Sequence, residues 1–287
     1  MVRAGDRVRG RLQIGTFPFE WGVRTYVMGI VNVTPDSFSG DGVPQHSAAI
    51  GYAAAQRTAG ADILDVGGES TRPGHERVAD VIEIERILPV IRALRSSLGN
   101  VPISVDTYKP AVLRAAHAAG ANVVNSIWGA PDEILELAAE LEMPVVAMHN
   151  QHGTAYEGSV VDAVLRFLED CARRALLRGI PREAVVLDPG IGFGKTPEHN
   201  VAVLQQLDRL VALGFPTMLG TSRKSTLGLL TGRGAPHERV YATVATTALA
   251  VAAGIDLVRV HDVAAARDAV AIADAVVRNW RPAQWMR

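Results

Sequence analysis

The fold is decided by residues 63–106, which read ILDVGGESTRPGHERVADVIEIERILPVIRALRSSLGNVPISVD. The stretch opens with a short apolar run, Ile63–Val66, and closes with another, Ile103–Val105. Neither run alternates strictly, as expected of strands buried on both faces. Between them, Glu76–Leu98 carries apolar residues at helical spacing that form one stripe: Ile84, Ile87, Leu88, Ile91, Leu94 and Leu98. The stretch therefore predicts a strand, a helix and a second strand of one sheet.

The same unit recurs along the rest of the chain. Six further apolar runs predict strands: Tyr26–Val31, Asn122–Val124, Val145–Met148, Ala184–Leu187, Thr217–Leu219 and Leu257–Val260. Further helical patterns are Ala48–Ala59, Ala111–Ala119, Asp132–Leu141, Val160–Leu177, Val201–Leu213 and Tyr241–Ala253. Strands and helices that alternate without a dividing linker predict an α/β fold, a single (β/α)8 TIM barrel over residues 1–287. A doubly wound open sheet is the alternative. Residues 1–25, from Arg9 to Thr25, predict a short N-terminal hairpin that caps the barrel floor.

Composition excludes several classes of function. The 287 residues include 29 Lys and Arg against 30 Asp and Glu, so the net charge of −1 predicts no affinity for nucleic acid or membrane surfaces. The single cysteine, Cys171, rules out an intrachain disulfide and is expected to be a buried filler. The first residues lack an apolar signal core, and no run of about 18 apolar residues occurs. We therefore expect a cytoplasmic protein.

Polar residues follow nearly every predicted strand. They are Asn32, Glu69-Ser70-Thr71-Arg72, Asp106, Asn125, His149, Asp188, Ser222-Arg223-Lys224, Arg259 and His261. The carboxyl ends of barrel strands surround one mouth, where active sites lie. A carboxylate within an apolar strand is expensive to bury without a partner. We expect Asp106 to bind a ligand and Asp65 to be satisfied by a structural partner.

The segment DPGIGFGKT, residues 188–196, resembles a phosphate-binding loop but fails the required glycine spacing. It predicts a tight turn with positive φ that projects Asp188 into the mouth. His149 and His152 have the spacing of a metal pair, but no third ligand accompanies them, and His149 is expected in the wall of the site. The glycine-rich segments 40–42 and 67–74 are expected to be lids, the second carrying Thr71 and Arg72 toward a substrate.

Alternate residues of a strand share a face, so Arg259 and His261 are expected to point the same way. An arginine inside a barrel needs an anion, and its planar fork suits phosphate oxygens. A structural ion pair with Asp65 or Asp262 is the alternative. No Ser/His or Cys/His pair is recognisable in the sequence.

Six blocks resemble the dihydropteroate synthase family, in that family's order. They are MGIVNVTPDSFS (28–39), DVGGESTRPG (65–74), SVDT (104–107), LDPGIGFGKT (187–196), SRKS (222–225) and RVHD (259–262). The resemblance implies a homodimeric transferase that joins 6-hydroxymethyl-7,8-dihydropterin diphosphate to 4-aminobenzoate in folate biosynthesis. These small molecules are then its expected partners.

The resemblance also implies a role for individual residues. Asn32 should face Mg²⁺, the expected cofactor, and the catalytic residues should be Asn32, Asp106, Lys224 and Arg259. The pterin slot should contain Asp106, Asn125, Asp188 and Lys224, with Met148 against the ring. The remaining substrate contacts should come from Thr71, Arg72, Pro73, Phe193, Ser222, Arg259 and His261.

Two departures from the family pattern leave other functions open. Residues 39–42 read Ser-Gly-Asp-Gly where the family has Ser-Asp-Gly-Gly, and Ser126 stands where the family has Asp. We expect Ser126 to point away from the pterin if Asn125 points toward it. The alternatives are a catalytically impaired pterin-binding paralogue and a pterin-dependent methyltransferase. The latter has no need for an anion site at Ser222, Arg259 and His261.

Overall fold

The computed structural model describes residues 9–34, 45–70 and 77–282. The predictions for Gly40, Asp41, Thr71, Arg72 and Pro73 lie outside these ranges. Ten strands occur within them: β1 (Gly10–Ile14), β2 (Phe17–Trp21), β3 (Tyr26–Asn32), β4 (Ile63–Gly67), β5 (Ile103–Asp106), β6 (Val123–Ser126), β7 (Val145–Met148), β8 (Val185–Asp188), β9 (Met218–Leu219) and β10 (Leu257–Val260).

Strands β3 to β10 form a closed parallel barrel. The strands from β3 to β8 each pair with the next in the chain, and β10 pairs with both β3 and β9. The circle closes where Leu187 bridges Thr217 and the Leu187 N–H donates to the Pro216 carbonyl at 2.9 Å. The (β/α)8 prediction is confirmed. The doubly wound sheet is wrong, because its strand order would reverse at a switch point and leave two free edges.

The helices within the described ranges surround this barrel. They are α1 (Gln45–Thr58), α2 (Asp80–Leu98), α3 (Pro110–Ala119), α4 (Asp132–Glu140), α5 (Val160–Leu177), α6 (Pro197–Leu204), α7 (Leu207–Val211), α8 (Ser225–Thr231), α9 (Val240–Ala253) and α10 (Val263–Val277). None of them is long and apolar enough to cross a membrane.

Three element predictions need correction. The single helix predicted over Val201–Leu213 is two helices, because Gln206 has φ −127° and ψ 32°, outside the helical region. The predicted strand Ala184–Leu187 begins at Val185, since Ala184 ends a 3₁₀ turn. Helices α8 and α10 had no counterpart among the predicted helices.

The barrel floor, where the strands begin, is filled by aromatic and aliphatic side chains. Strand residues of the lower interior pack with Ile14, Phe19 and Trp21 of the β1–β2 hairpin: Tyr26, Met28, Ile63, Val123, Val146, Val186, Met218 and Leu257. The Phe19 and Tyr26 ring centroids are 4.6 Å apart. The Trp21 indole N–H donates to the Glu183 carbonyl at 2.9 Å. The predicted floor-capping hairpin is confirmed.

Cys171 is buried on α5, as expected of a filler. Burial raises the pKa of its thiol to about 11. The neutral thiol therefore behaves as a small apolar side chain at physiological pH.

Candidate active site

One side chain from almost every strand reaches the barrel mouth, two residues beyond a floor residue. Strand alternation explains this arrangement: since Ile63 and Leu257 point into the barrel, Asp65 and Arg259 do so as well. The same reasoning places Asn125 above Val123, Met148 above Val146 and Asp188 above Val186. Asp106 pairs in register with Asn125, and Met148 with Asp188. Asn32 ends the strand that continues from Met28 and Ile30.

At the centre of the mouth, Arg259 lies between two carboxylates. Its Nε donates to Asp65 Oδ2 at 2.6 Å and its Nη2 donates to Asp106 Oδ2 at 2.7 Å. The Asn125 amide donates to the same Asp65 oxygen at 3.1 Å. The structural ion pair with Asp65 is therefore present, whereas Asp262 pairs with Arg223. One carboxylate oxygen of Asp65 has structural partners, as expected, but Asp65 also belongs to the mouth cluster, which the sequence did not indicate.

Three acceptor atoms of this cluster are buried without a hydrogen-bond partner: Asp65 Oδ1, Asp106 Oδ1 and Asn125 Oδ1. An unsatisfied buried acceptor costs about 1–3 kcal/mol. A ligand edge that presents several N–H groups would remove this penalty. The unpartnered oxygens therefore mark this cluster as a candidate site for a hydrogen-bond donor.

Burial shifts the ionisation of these groups. It raises the pKa of Asp106 to about 7, against the opposing charges of Arg259 and Lys224, while the Asp65 carboxylate adds to the rise. Burial likewise raises the pKa of Asp188, although the Gly190 N–H and Lys224 oppose it. Burial lowers the pKa of Arg259, but Asp65 and Asp106 outweigh that effect and raise it overall. Arg259 is therefore a permanent cation beside two buried carboxyl groups.

Asp188 is held by the turn that follows it. Its Oδ1 accepts the Gly190 N–H at 2.8 Å. Gly190, Gly192 and Gly194 have φ of +68°, +82° and +56°, and a Cβ on Gly190 would lie 1.9 Å from the His149 carbonyl oxygen. The tight turn predicted for residues 188–196 is confirmed. It leaves the second carboxylate oxygen of Asp188 available to the mouth.

Phe193 and Lys224 meet beside this turn. The Lys224 Nζ lies 3.9 Å from the centroid of the Phe193 ring, a favourable cation–π contact. Gly192 is packed against the same lysine, because a Cβ there would lie 3.1 Å from Lys224 Cδ. The contact forms one side of the mouth, next to Asp188.

Ser222 and His261 form a pair that was not recognisable in the sequence. The backbone N–H of His261 donates to Ser222 Oγ at 3.0 Å, and the same Ser222 Oγ lies 3.0 Å from the ring atom Nδ1 of His261. Burial, together with Arg223 and Arg259, lowers the pKa of His261 to about 3. The ring is therefore neutral at pH 7 and carries one proton, on Nδ1 or on Nε2. Asp262, which could have completed a triad, is occupied by Arg223.

The expectation that His149 lines the site is wrong. Its ring lies 4.9 Å from that of Phe167 on α5, behind the strand ends, and its Nδ1 is 2.8 Å from Lys195 Nζ. His149 points out of the barrel because it directly follows Met148, which points inward. The ring of His152 lies against that of Trp128, with 4.8 Å between the two ring centroids. Within the described ranges, no group of three or more His, Cys, Asp or Glu side chains could hold a metal.

Ser126 is buried, with no partner for its Oγ. Because Asn125 points inward, alternation directs Ser126 outward, as predicted. The departure from the family pattern therefore lies outside the mouth cluster.

A second buried ionic cluster escaped sequence reasoning. Lys109 Nζ donates to Glu83 at 2.7 Å, to the Val78 carbonyl at 2.6 Å, and to Glu69. Glu69 also accepts the Tyr108 hydroxyl at 2.8 Å and the Val78 N–H at 3.1 Å. Glu83 falls on the buried face of α2 with Ile87, Val90 and Leu94. In the sequence, this carboxylate on an otherwise apolar helix face was the one signal that could have indicated the cluster.

Comparison with known proteins agrees with this geometry. The family model described as pterin binding enzyme matches residues 28–261. A dihydropteroate synthase of Clostridium beijerinckii is 43% identical over 272 residues, which are 93% of this chain and 100% of that protein. A Xanthomonas albilineans dihydropteroate synthase structure with 4-aminobenzoic acid is 43% identical at a TM-score of 0.89, covering 95% of this chain and 99% of that one.

The same Xanthomonas albilineans enzyme in complex with 7,8-dihydropteroate is 41% identical at a TM-score of 0.86, and the match covers 95% of this chain and 100% of that one. Sequence and backbone thus agree over nearly the full length of both proteins. The chain belongs to the dihydropteroate synthase family of pterin-binding enzymes.

Proposed function

We propose that this chain joins a dihydropterin diphosphate to 4-aminobenzoate, giving 7,8-dihydropteroate and diphosphate. The observation that carries the proposal is the set of buried acceptor oxygens on Asp65, Asp106 and Asn125, together with Asp188. An amino-pyrimidinone edge presents N–H donors beside an acceptor and matches such a set. Met148 is buried at the same level and offers a flat apolar contact for the ring.

The diphosphate is proposed to bind at the positively charged side of the mouth. Arg259 contributes a planar guanidinium, and we propose that neutral His261 adds a further donor, Nε2–H, in the tautomer whose Nδ1 accepts the Ser222 hydroxyl. Thr71 and Arg72 are proposed to add contacts from their loop. In the reaction, the C–O bond to the diphosphate breaks while the dihydropterin ring delocalises the resulting cation. Donors aimed at the leaving oxygens stabilise the charge that develops there.

The aromatic amine of 4-aminobenzoate is already nucleophilic, so the Ser222–His261 pair is not required as a base. The amine nitrogen bonds to the carbon that loses diphosphate and then releases a proton. We propose that Phe193 flanks the second substrate, while Lys224 lines the pterin slot. The cation–π contact between the two side chains supports a position for the amine directly beside that slot.

The donor set of the mouth fits Mg²⁺ as the cofactor. Asn32 offers an amide oxygen, and the described residues provide no dedicated acidic cage. Mg²⁺ is commonly bound by one or two protein oxygens together with substrate phosphates. When bound, it would neutralise the charge of the departing diphosphate. Asn32 would hold it.

Product formation with and without Mg²⁺ tests the proposal. We expect labelled 4-aminobenzoate to be converted to dihydropteroate only when both the dihydropterin diphosphate and Mg²⁺ are present. Asn32→Ala should raise the Mg²⁺ concentration for half-maximal rate by at least roughly tenfold, since a metal oxygen ligand is lost. Binding of a diphosphate-free pterin should not change. Tight pterin binding without condensation would instead indicate the impaired paralogue, and methyl transfer would indicate the methyltransferase.

Arg259→Ala should weaken diphosphate binding by roughly thirtyfold or more, the effect of losing about 2 kcal/mol of a buried charge contact. It also leaves Asp65 and Asp106 facing each other, so we expect lower thermal stability without ligand. Asp65→Asn added to Arg259→Ala should recover stability but not diphosphate affinity. Calorimetry with diphosphate and thermal unfolding measure the two effects. Arg267→Ala, which breaks an ion pair at the floor end, is the control and should leave diphosphate affinity unchanged.

We propose that the protein is a homodimer that pairs through α8, α9 and α10. These neighbouring helices expose large apolar side chains: Leu229, Leu230, Tyr241, Leu249, Ile272 and Val276. Exposed apolar surface of this extent is typical of protein interfaces. Location in the cytoplasm stays a prediction.

Light scattering should give about twice the chain mass of 30.6 kDa. Leu249→Glu should reduce the mass to that of one chain. Leu177→Glu is the matched control, because Leu177 is 73% exposed on α5, away from these helices. A monomer in the unmodified protein would contradict the proposal.

A further inference from the structure

Lys195 closes the 188–196 turn with three contacts from one buried ammonium. Its Nζ donates to the Gly190 carbonyl at 3.0 Å and to the Phe193 carbonyl at 3.1 Å, and it lies 2.8 Å from His149 Nδ1. The side chain belongs to a residue that is 8% exposed. The number of contacts matches the three N–H donors of an ammonium. Burial lowers the pKa of Lys195 to about 7, although the charge of Asp188 opposes this shift.

The acceptors of Lys195 lie in the backbone that carries two residues of the mouth. Gly190 aims the Asp188 carboxylate through its N–H, and Phe193 contacts Lys224. Asp188 is fixed independently, because it belongs to β8 and pairs with Met148. Phe193 has no such strand. Its N–H reaches the Gly190 carbonyl at a longer 3.2 Å, and its own carbonyl is held by Lys195.

Other contacts hold the neighbouring glycines of the turn. Gly192 donates to Asn200 Oδ1 at 2.8 Å, and the Tyr156 hydroxyl donates to the Gly194 carbonyl at 2.8 Å. Neither of these contacts reaches the peptide carbonyl of Phe193. Among the described residues, the Lys195 ammonium is the side chain that ties Phe193 to the start of the turn.

We propose that Lys195 is a positioning residue that sets the affinity for the aromatic amine by fixing Phe193, since its own direct contacts are His149 and two backbone carbonyls of the turn. This inference rests on the proposed function, in which Phe193 flanks 4-aminobenzoate. The inference predicts different effects on the binding of the two substrates. The proposed pterin contacts come mainly from strand residues, whereas the proposed contact with the amine comes from the turn. A purely structural lysine would affect both substrates alike.

The test is a double-mutant cycle read by steady-state kinetics. Lys195→Met keeps the length of the side chain and removes its donors. It should raise KM for 4-aminobenzoate roughly tenfold, as for loss of one charge-assisted hydrogen bond, with less than about a threefold change in KM for the dihydropterin diphosphate. In a Phe193→Ala background the same change should have little further effect, because the group that Lys195 positions is already gone. Tyr156→Phe, which frees Gly194, is the matched control and should give a smaller rise.

Equal losses for both substrates, or the full tenfold effect persisting in Phe193→Ala, would overturn the inference. If Lys195→Met does not fold, His149→Phe removes one acceptor and keeps a ring against Phe167. It should raise KM for 4-aminobenzoate selectively, and an unchanged or unselective KM in that variant would also overturn the inference. Failure of the proposed function is a different result, because the unmodified protein would then form no dihydropteroate.

Discussion

Asp188→Asn should remove most of the affinity for pterins and leave the barrel folded. One carboxylate oxygen of Asp188 already accepts the Gly190 N–H, and the asparagine oxygen can do the same. The amide NH₂ is then turned toward the mouth, where a pterin also presents N–H groups. Two donors that face each other leave buried groups unpaired, at about 1–3 kcal/mol, which corresponds to roughly five- to 150-fold in affinity.

Calorimetric titration with a diphosphate-free pterin measures this loss. Thermal unfolding should show a variant at least as stable as the unmodified protein, because the substitution also removes a buried charge whose pKa is raised by burial. Asp208→Asn, on an exposed position of α7, should bind pterin normally. Near-normal affinity in folded Asp188→Asn would remove Asp188 from the pterin slot.

Lys109→Met should destabilise the protein more than any other single change considered. It leaves Glu69 and Glu83 without their cation, while Glu83 is 1% exposed. Removing one partner of a buried ion cluster typically costs about 3–5 kcal/mol. Chemical unfolding should show that loss at pH 7. Arg114→Met, which breaks a fully exposed pair with Glu140, should change stability little.

The pH dependence of this loss identifies its cause. Burial already raises the pKa of Glu83, and loss of Lys109 raises it further. A carboxyl with a raised folded pKa binds more protons in the folded state, so the variant gains stability relative to the unmodified protein as pH falls through that pKa. The deficit of Lys109→Met should therefore shrink as the pH is lowered from 7. Glu83→Gln added to Lys109→Met should recover part of it at pH 7. A deficit that does not vary with pH would point to lost packing instead.

Local sequence pattern predicted those site residues whose position depends on a single strand. Asp106, Asn125, Asp188 and Arg259 lie at the mouth because each follows an apolar run and alternation settles its direction. The partners of these residues could not be predicted in the same way. Arg259 and Asp106 are 153 positions apart, and Ser222 and His261 are 39 apart. Such contacts depend on the curvature of the closed barrel, which no local pattern encodes.

Three further features could not be predicted from the periodicity of apolar residues: a helix break, the direction of a lysine and a buried ion pair. Val201–Leu213 keeps its helical spacing through Gln206, yet the backbone leaves the helical region there. Lys195 directly follows three alternating glycines, and the turn they make was predicted, but the direction of the lysine was not. The buried Glu83 was visible as a charged residue on the apolar face of α2. Its partner, Lys109, comes from a different strand end.

The hairpin closes the lower end of the barrel, because Phe19 and Trp21 pack against the side chains that fill the floor. A molecule that binds at the mouth must therefore leave on the side by which it entered. Under the proposed function, both substrates and the joined product share this one entrance. We expect the pterin to bind first, on the strand residues Asp65, Asn125 and Asp188, and an amine that binds first to obstruct it.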